Sequence, residues 1–386
     1  MSVHTDHDIV IIGGGPVGCA AALALSAAHH SVLLLDAASE TTADDPRTLA
    51  LNFGSRLILE RLEAWIGIGP RTEIDTIHVS QRGGFGSVVL KAQDAAKPAL
   101  GYVVSYASML RTLQHRLSAH AAATTAFGAR VSDVARSQDR LTVTYSDQTG
   151  IRTVRTQLAI LADGGALSGQ LAPLTVREYG QSALVCTVST SKPHRNCAFE
   201  RFTSCGPLAL LPFRDEYAVI WTTVPQRAAH LCTVLPDAFL EELQATFGMR
   251  AGNFVTVRDR ATFPLALRTS MGSRLQGVIA IGNAAQTLHP VAGQGLNLGL
   301  RDAWELSSLL SDPTNAAHLH TLAQRFEGAR SRDRRSSVSL TDALVRVFSN
   351  DDPALRWLRG CGLTFLDCVP PAKTKFMQQM MFGAMW

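Results

Sequence analysis

Three short apolar runs stand out along the chain: Asp8–Ile12, Ser31–Leu35 and Gly277–Ile281. They are rich in β-branched and leucine side chains and have no helical period, so they predict strands that are buried on both faces. The small-residue segment Cys19–Ala28 lies between the first two runs and predicts a helix. A strand, a helix and a second strand in this order predict a βαβ unit and an α/β fold class.

Other segments alternate apolar and polar residues with the period of a half-buried strand. Thr76–Ser80 and Gly86–Leu90 predict a hairpin around Gly83 and Gly84. Four later segments have the same character, namely 183–190, 198–203, 208–212 and 218–224. Together they predict an antiparallel sheet that is separate from the parallel one.

The first strand leads directly into a glycine-rich turn, Gly13-Gly-Gly-Pro16-Val-Gly18. Gly13 permits a tight turn, Gly15 lets the backbone approach a pyrophosphate, and Gly18 allows close packing of the helix on the strand. The following helix N-terminus attracts phosphate, and Asp36 at the end of the second strand can accept hydrogen bonds from an adenosine ribose. This motif predicts a dinucleotide site but does not separate FAD from NAD, and a plain βαβ turn is the alternative.

A second glycine motif follows the strand at Gly277–Ile281. Gly293 and Gly295 remove side chains, so backbone there can lie against a large planar ring. A helix predicted over Leu296–Leu309 points its N-terminus to the same place, which would stabilise negative charge on a reduced flavin. The candidate cofactor-binding residues of this motif are Gly282, Asn283, Pro290, Gly293, Gln294, Gly295, Leu296 and Asn297.

This second motif resembles the second FAD motif of the flavoprotein aromatic hydroxylases, and in particular that of the ubiquinone-biosynthesis hydroxylases. Asn283 replaces the more common Asp, a variant typical of the branch that acts on 2-octaprenyl-6-methoxyphenol. The segment Asp45–Leu51 also resembles the family, and the resemblance implies that Arg47 reaches the flavin phosphates. The resemblance also implies that Asp163, in a short Asp-Gly motif, takes part in the binding of flavin and nicotinamide. The Arg that usually follows this motif in the family is missing from 165–171.

The resemblance implies a Rossmann-like FAD-binding domain of the aromatic-hydroxylase type, with an inserted antiparallel β-sheet substrate domain and C-terminal helices. We expect the FAD domain to be discontinuous, over residues 1–72, 101–178 and 264–345. The substrate domain is expected at 73–100 and 179–263. Residues 346–386 are expected to be helical and then irregular around Pro370-Pro371.

The resemblance also implies an activity. NAD(P)H would reduce FAD, O2 would add to the flavin, and the resulting hydroperoxide would transfer one oxygen atom to a polyprenylated phenol in ubiquinone biosynthesis. Other proteins of that pathway are the expected partners. His289 is the candidate catalytic group, with a purely structural role in its turn as the alternative. Two other functions stay open: hydroxylation of a small soluble aromatic compound, and a flavin-binding scaffold subunit.

Composition narrows the remaining function classes. The net charge of only +4 argues against a nucleic-acid partner. No apolar stretch has the 18 or more residues that a spanning helix needs, and the first residues lack a secretion signal. Seven cysteines without a CxxC pair predict neither a metal site nor a disulfide framework. We therefore expect a cytoplasmic protein that binds no metal.

Two C-terminal features have more than one interpretation. The Met-rich tail Phe376–Trp386 can pack against the protein, because methionine fills irregular gaps. Alternatively, it can face membrane lipid or a partner protein, which would place the chain at the periphery of the inner membrane. The basic run Arg330–Arg335 predicts a solvated helix face rather than a phosphate site.

Overall fold

The computed structural model describes residues 6–39, 45–270, 272–290, 293–312 and 319–383. Its strands are β1 (Asp6–Ile12), β2 (Val32–Asp36), β3 (Thr48–Asn52), β4 (Arg71–Ile74), β5 (Thr76–Gln81), β6 (Ser87–Lys91), β7 (Gly101–Ser105), β8 (Ala123–Phe127), β9 (Arg130–Ser137), β10 (Arg140–Asp147), β11 (Gly150–Leu161), β12 (Leu174–Thr190), β13 (Cys197–Thr203), β14 (Gly206–Phe213), β15 (Glu216–Thr223), β16 (Phe254–Ser270), β17 (Val278–Ala280) and β18 (Gln286–Thr287). Its helices are α1 (Pro16–Ala27), α2 (Phe53–Arg61), α3 (Tyr106–Ser118), α4 (Ser168–Leu171), α5 (Pro225–Thr233), α6 (Pro236–Phe247), α7 (Gln294–Leu310), α8 (Leu319–Phe348), α9 (Pro353–Cys368) and α10 (Pro370–Phe382).

The first sheet has a parallel part in the order β8-β2-β1-β11-β17, and the β9–β10 hairpin extends β11 on the side of β17. The predicted strands at Asp8–Ile12, Ser31–Leu35 and Gly277–Ile281 are confirmed. Ile9 and Ile11 pack into one hydrophobic cluster, while Val10 and Ile12 pack into another. Burial on both faces explains why this strand is apolar throughout.

Helix α1 packs closely on this sheet because its contact positions carry small side chains. A Cβ on Gly18 would lie 1.9 Å from the carbonyl oxygen of Gly13, so only glycine fits there. Ala20, Ala21 and Ala22 are fully buried in the same cluster. The short side chains therefore bring the N-terminus of α1 directly against the end of β1.

The second sheet has the order β18-β16-β12-β15-β14-β13-β5-β6. The predicted hairpin is confirmed, with β5 and β6 antiparallel around Gly83 and Gly84. One strand pair differs from the predicted antiparallel order, because β13 and β5 are parallel. The two strands are far apart in the sequence, so the chain between them is long enough to bring β13 beside β5 in the same direction. A third, small sheet in the order β3-β7-β4 lies beside the first two. The mixed α/β fold class is confirmed, whereas the domain boundaries stay a prediction.

The C-terminal segment continues as helices where an irregular stretch was expected. Pro370 and Pro371 begin α10, because a proline at the first helical positions loses no hydrogen bond. Met377 and Met381 of this helix are almost completely buried, at 1% and 3% exposure. Packing of the tail against the protein is thus confirmed for these residues, and the predicted tail residues 384–386 lie outside the described ones. None of the described helices is both long enough and apolar enough to cross a membrane.

Candidate active site

A cavity of about 870 Å³ lies between the first sheet, the second sheet and α10. One part of its wall comes from the carboxyl ends of β1 and β2, at Ile12 and Asp36. This edge is where parallel α/β sheets bind their ligands. The other part comes from the second sheet and from the C-terminal helices. The cavity volume is within the range of about 300–1,000 Å³ that ligand sites occupy.

The first glycine turn forms one end of the cavity. Gly13 has φ of +110°, and a Cβ there would lie 2.4 Å from the carbonyl oxygen of Ala162. A Cβ on Gly15 would meet no atom within 4 Å, so this glycine leaves open space beside the backbone. Pro16 begins α1, whose first turn has no side-chain cap and no acidic residue. The turn therefore offers an anion an open cradle and a positive helix end.

Asp36 lies at the end of β2 and lines the same cavity. One of its oxygens accepts a hydrogen bond from the N–H of Gly14, and the other accepts one from the N–H of Ala38 at 2.7 Å. These bonds fix the carboxylate beside the glycine turn. A carboxylate accepts about four hydrogen bonds, so Asp36 retains capacity for a ribose hydroxyl.

Arg47 and Asp163 also line the cavity. The Arg47 guanidinium is 2.5 Å from Asp45 and lies 4.4 Å from the centroid of the Tyr106 ring. The Asp163 carboxylate accepts the N–H groups of Gly165 at 3.0 Å and Leu167 at 2.7 Å, which holds the turn after β11. Their implied contacts to phosphate and nicotinamide stay predictions.

The second glycine motif forms another part of the cavity wall. Helix α7 begins at Gln294, two residues before the predicted start, because Gly293 turns the chain with φ of +60°. A Cβ on Gly293 would approach the Cβ of Ala50 to 3.3 Å. The predicted residues of this motif that line the cavity are Asn283, Pro290, Gly293, Gln294, Gly295, Leu296 and Asn297.

Three of the predicted residues make structural contacts with other parts of the protein. Gly18 is a packing residue, and Gly282, with φ of +58°, donates its N–H to Asp302 at 3.1 Å. Asn297 accepts from the N–H of Asn52 and the hydroxyl of Ser55, and its amide donates to two carbonyl groups. The side chain of Asn297 therefore joins α7 to the β3–α2 connection, which shapes the wall.

A buried ionic network supports the second motif, and the sequence interpretation missed it. Asp302 is fully buried and accepts from Gly282, from Gln286 at 3.0 Å and from Arg330 at 2.7 Å. Arg330 also pairs with Asp333 at 2.8 Å. The prediction of a solvated face for Arg330–Arg335 is wrong for Arg330 and Arg334, which are 2% and 9% exposed. The spacing of Arg330 and Asp333, three residues apart on one helix, was the signal that could have indicated an internal pair.

His289 lines the cavity and is itself completely buried. Its ring meets that of Tyr179 edge to face, with the ring centroids 5.3 Å apart. Burial lowers the pKa of His289 to about 4, so the imidazole is neutral at pH 7. A neutral imidazole cannot be a cationic acid, and the catalytic role proposed for His289 stays a prediction.

The second sheet lines the rest of the cavity with one of its two faces. Alternate residues of β13, β14 and β15 point away from it, into a cluster with α5 and α6. The side chains toward the cavity are almost all apolar: Ile77, Val79, Ala198, Phe202, Ala209, Leu211 and Ile220. Phe376, Met377, Met380 and Met381 of α10 close the opposite side. Glu200 also lies on the cavity face, and the sequence interpretation did not select it. The signal was that this Glu stands at a position where the alternation along β13 otherwise places apolar residues.

Comparison with known proteins assigns the family. A family model described as the FAD binding domain matches residues 6–334. The chain is 32% identical to the ubiquinone hydroxylase UbiL of Rhodospirillum rubrum, over 97% of its own length and 89% of the relative's. It is 29% identical to the 3-demethoxyubiquinol 3-hydroxylase of Escherichia coli, over 92% and 93% of the two chains. The chain belongs to this family of FAD-dependent hydroxylases.

The flavoenzyme is a monooxygenase with FAD as its cofactor. In structure it resembles p-nitrophenol 4-monooxygenase PnpA from Pseudomonas putida DLL-E4, with a TM-score of 0.81 over 100% of both chains. Only 16% of the residues are identical, so this likeness shows the shared fold alone. The residues at the glycine-lined end fit FAD, because Gly15 leaves open space beside the backbone and the uncapped ends of α1 and α7 border the same cavity.

Proposed function

We propose that the flavoenzyme hydroxylates a polyprenylated phenol in ubiquinone biosynthesis, using NAD(P)H and O2. The observation that carries the proposal is the apolar part of the cavity, which continues from the glycine-lined end between the second sheet and α10. Such a channel suits a phenol ring with a long hydrocarbon chain, because burial of apolar surface is its main source of affinity. The names of the relatives support the same substrate class.

The chain's own residues would position the ring and exclude water, while bound FAD would supply the oxygen chemistry. Phe202 stacks on Phe348 with ring centroids 3.9 Å apart, which joins the sheet wall to α8. Met380 and Met381 provide flexible apolar surface on the opposite side. These side chains would shield the reacting ring and adapt to the prenyl chain.

Hydroxylation of a small soluble aromatic acid is less well supported. Recognition of a carboxylate normally uses Arg or Lys. Among the described residues that line the sheet and helix part of the cavity, there is no Arg or Lys; Arg47 and Arg130 lie at the flavin end. The remaining alternative, a scaffold subunit, would not couple NAD(P)H oxidation to a hydroxylated product.

The test is mass spectrometry of lipid extracts from a strain that lacks the gene, with and without the gene restored. We expect ubiquinone to disappear and one prenylphenol that lacks a hydroxyl group to accumulate, and both changes to be reversed by the gene. The accumulated compound would also identify the ring position. Unchanged ubiquinone in an organism without a second hydroxylase would refute the proposal and leave the FAD assignment intact.

We also propose a peripheral membrane contact through α9. Trp357, Leu358 and Phe365 of this helix are 60%, 56% and 61% exposed. Phe85 of the β5–β6 turn is also half exposed, and its ring lies 6.4 Å from that of Trp357. Exposed aromatic and aliphatic side chains on one helix, with Arg356 beside them, suit the interface of a bilayer that holds a prenyl lipid.

Vesicle flotation tests this contact. The double variant Trp357→Ser, Phe365→Ser should lose most of its binding to vesicles of phosphatidylethanolamine and phosphatidylglycerol, because it removes the two largest exposed rings of α9. Ile66→Ser is the matched control, since Ile66 is 89% exposed and lies outside this helix. Equal flotation of the wild type and the double variant would exclude α9 as the membrane contact.

A further inference from the structure

The cavity face of the second sheet carries one carboxyl group in an otherwise apolar surface. On β13, Ala198, Glu200 and Phe202 alternate toward the cavity, whereas Arg201 points to the opposite face, where it donates to the carbonyl of Thr246. The residues directly opposite Glu200 on the neighbouring strands are Val79 of β5 and Ala209 of β14. No cationic side chain therefore lies beside this carboxyl group in the sheet.

A carboxyl group that lies in an apolar cavity wall without a partner opposes folding. Among the described residues, none forms an ion pair or a side-chain hydrogen bond with Glu200, and burial raises the pKa of its carboxyl group to about 7. The strands paired with β13 carry one other titratable group, His78 of β5, which points to the opposite face with Arg201 and Arg250. The titratable groups across the cavity are Asp36, Arg47, Tyr106, Arg130, Asp163 and His289. Apolar residues would be more stable at position 200, so the carboxyl group indicates a ligand.

We propose that Glu200 binds the ring hydroxyl group of the phenolic substrate. The proposal rests on the proposed function, because it names the polar contact of that same substrate. The carboxylate accepts the hydroxyl hydrogen bond while the apolar side chains around it, from Val79 to Ala209, contact the ring and its chain. Glu200 is thus the specificity-determining residue for a free phenol over its ether.

The same contact assists the reaction. When the phenol O–H bond breaks, the proton forms an O–H bond with a carboxylate oxygen of Glu200, and the electron pair stays on the phenolate oxygen. That charge raises electron density at the ring carbons ortho and para to the oxygen, where hydroxylation takes place. The proton returns to the ring oxygen when the product leaves. No further reactant is required for this transfer.

The test compares the binding of 2-geranylphenol and of its methyl ether to the FAD-loaded enzyme by flavin fluorescence titration. The wild type should prefer the phenol by about 10- to 100-fold, the range for a hydrogen bond to a charged group. Glu200→Leu should lose this preference while its FAD content stays unchanged. Glu241→Gln is the control, since Glu241 is exposed on α6.

Glu200→Gln provides a second measurement that keeps the side-chain shape. The wild-type kcat/KM for 2-geranylphenol should rise with pH through about 7, as the carboxyl group ionises, and the Gln variant should lose this rise. The Gln variant should also be the more stable protein above pH 7, because the raised pKa makes the wild type lose stability as the pH rises from 4.5 toward 7. A merely structural Glu200 would leave the kinetic profile unchanged.

The outcomes separate the two proposals. An unchanged preference for the phenol in Glu200→Leu, with the wild type still binding 2-geranylphenol, overturns the role of Glu200 alone. Failure of the FAD-loaded wild type to bind or hydroxylate 2-geranylphenol overturns the proposed substrate class and this inference together.

Discussion

The two parts of the cavity wall are built in different ways. At the flavin end, the backbone determines the shape: Gly13 and Gly293 have positive φ, and neighbouring atoms leave no room for a Cβ at Gly18. At the sheet end, side chains such as Leu211 and Ile220 form the surface on a regular strand framework. The flavin end therefore tolerates few substitutions, whereas the sheet end can change its side chains and its substrate without a change of fold.

Two glycine substitutions give the largest expected effect. Gly18→Val should prevent stable folding, at a cost of at least about 4 kcal/mol, because the new Cβ would overlap the Gly13 carbonyl group. Gly15→Val should fold, since a Cβ there meets no atom within 4 Å, but it should fill the phosphate cradle and lower FAD affinity about 100-fold. Thermal unfolding and FAD content after purification measure the two effects.

The contrast between the two variants is the informative result. If Gly15→Val unfolds as readily as Gly18→Val, the space beside Gly15 is needed for packing and not for a cofactor. If Gly18→Val folds and binds FAD normally, then α1 is not held against the first turn as tightly as its geometry requires.

The next largest expected effect is a loss of stability when the buried ionic network is broken. Arg330→Met should destabilise the protein by about 3–5 kcal/mol, because it leaves the buried carboxylate of Asp302 without its 2.7 Å partner. Arg332→Met is the matched control, since Arg332 is exposed on the same helix. Urea unfolding measures both. Equal losses in the two variants would mean that Asp302 does not depend on Arg330.

Much of the flavin end could be predicted from the sequence because its determinants are local. A buried strand, a glycine turn and a small-residue helix follow one another within about 20 residues, and each conformation depends on its own residues. The ion pair between Asp302 and Arg330 could not be predicted from local sequence, since it depends on how α8 packs against α7. The pairing of β5 with β13 is equally non-local, and the sequence predicted both strands without their parallel order.

The sheet end was less predictable for a related reason. Alternation along β13 shows two faces, but it does not say which face meets a cavity and which meets α5 and α6. Glu200 is conspicuous only after the cavity face is known. Pro370 was misinterpreted because a proline pair equally fits an irregular segment and the first turn of a helix.

A substitution at the sheet end should weaken binding of the substrate and leave binding of the cofactor unchanged. Leu211→Trp adds bulk to the apolar part of the cavity, so KM for 2-geranylphenol should rise about 10-fold, within the usual cost of overpacking. FAD content should stay at the wild-type level. Val255→Trp, at an exposed position of β16, is the control. Loss of FAD in Leu211→Trp would show that the two ends of the cavity are not independent.

The last effect concerns the acid stability of the protein and depends on His289, which lines the cavity. Its pKa is near 6.5 in the unfolded chain and about 4 when buried, so the unfolded state binds the extra proton between these values. As the pH falls from 7 to 5, this difference should remove about 2 kcal/mol of wild-type stability, and His289→Gln should avoid that loss. Urea unfolding at the two pH values measures it, with the exposed His230→Gln as the control. Equal acid sensitivity of the wild type and His289→Gln would mean that burial does not hold this imidazole neutral, and a cationic role at the flavin would become the better interpretation.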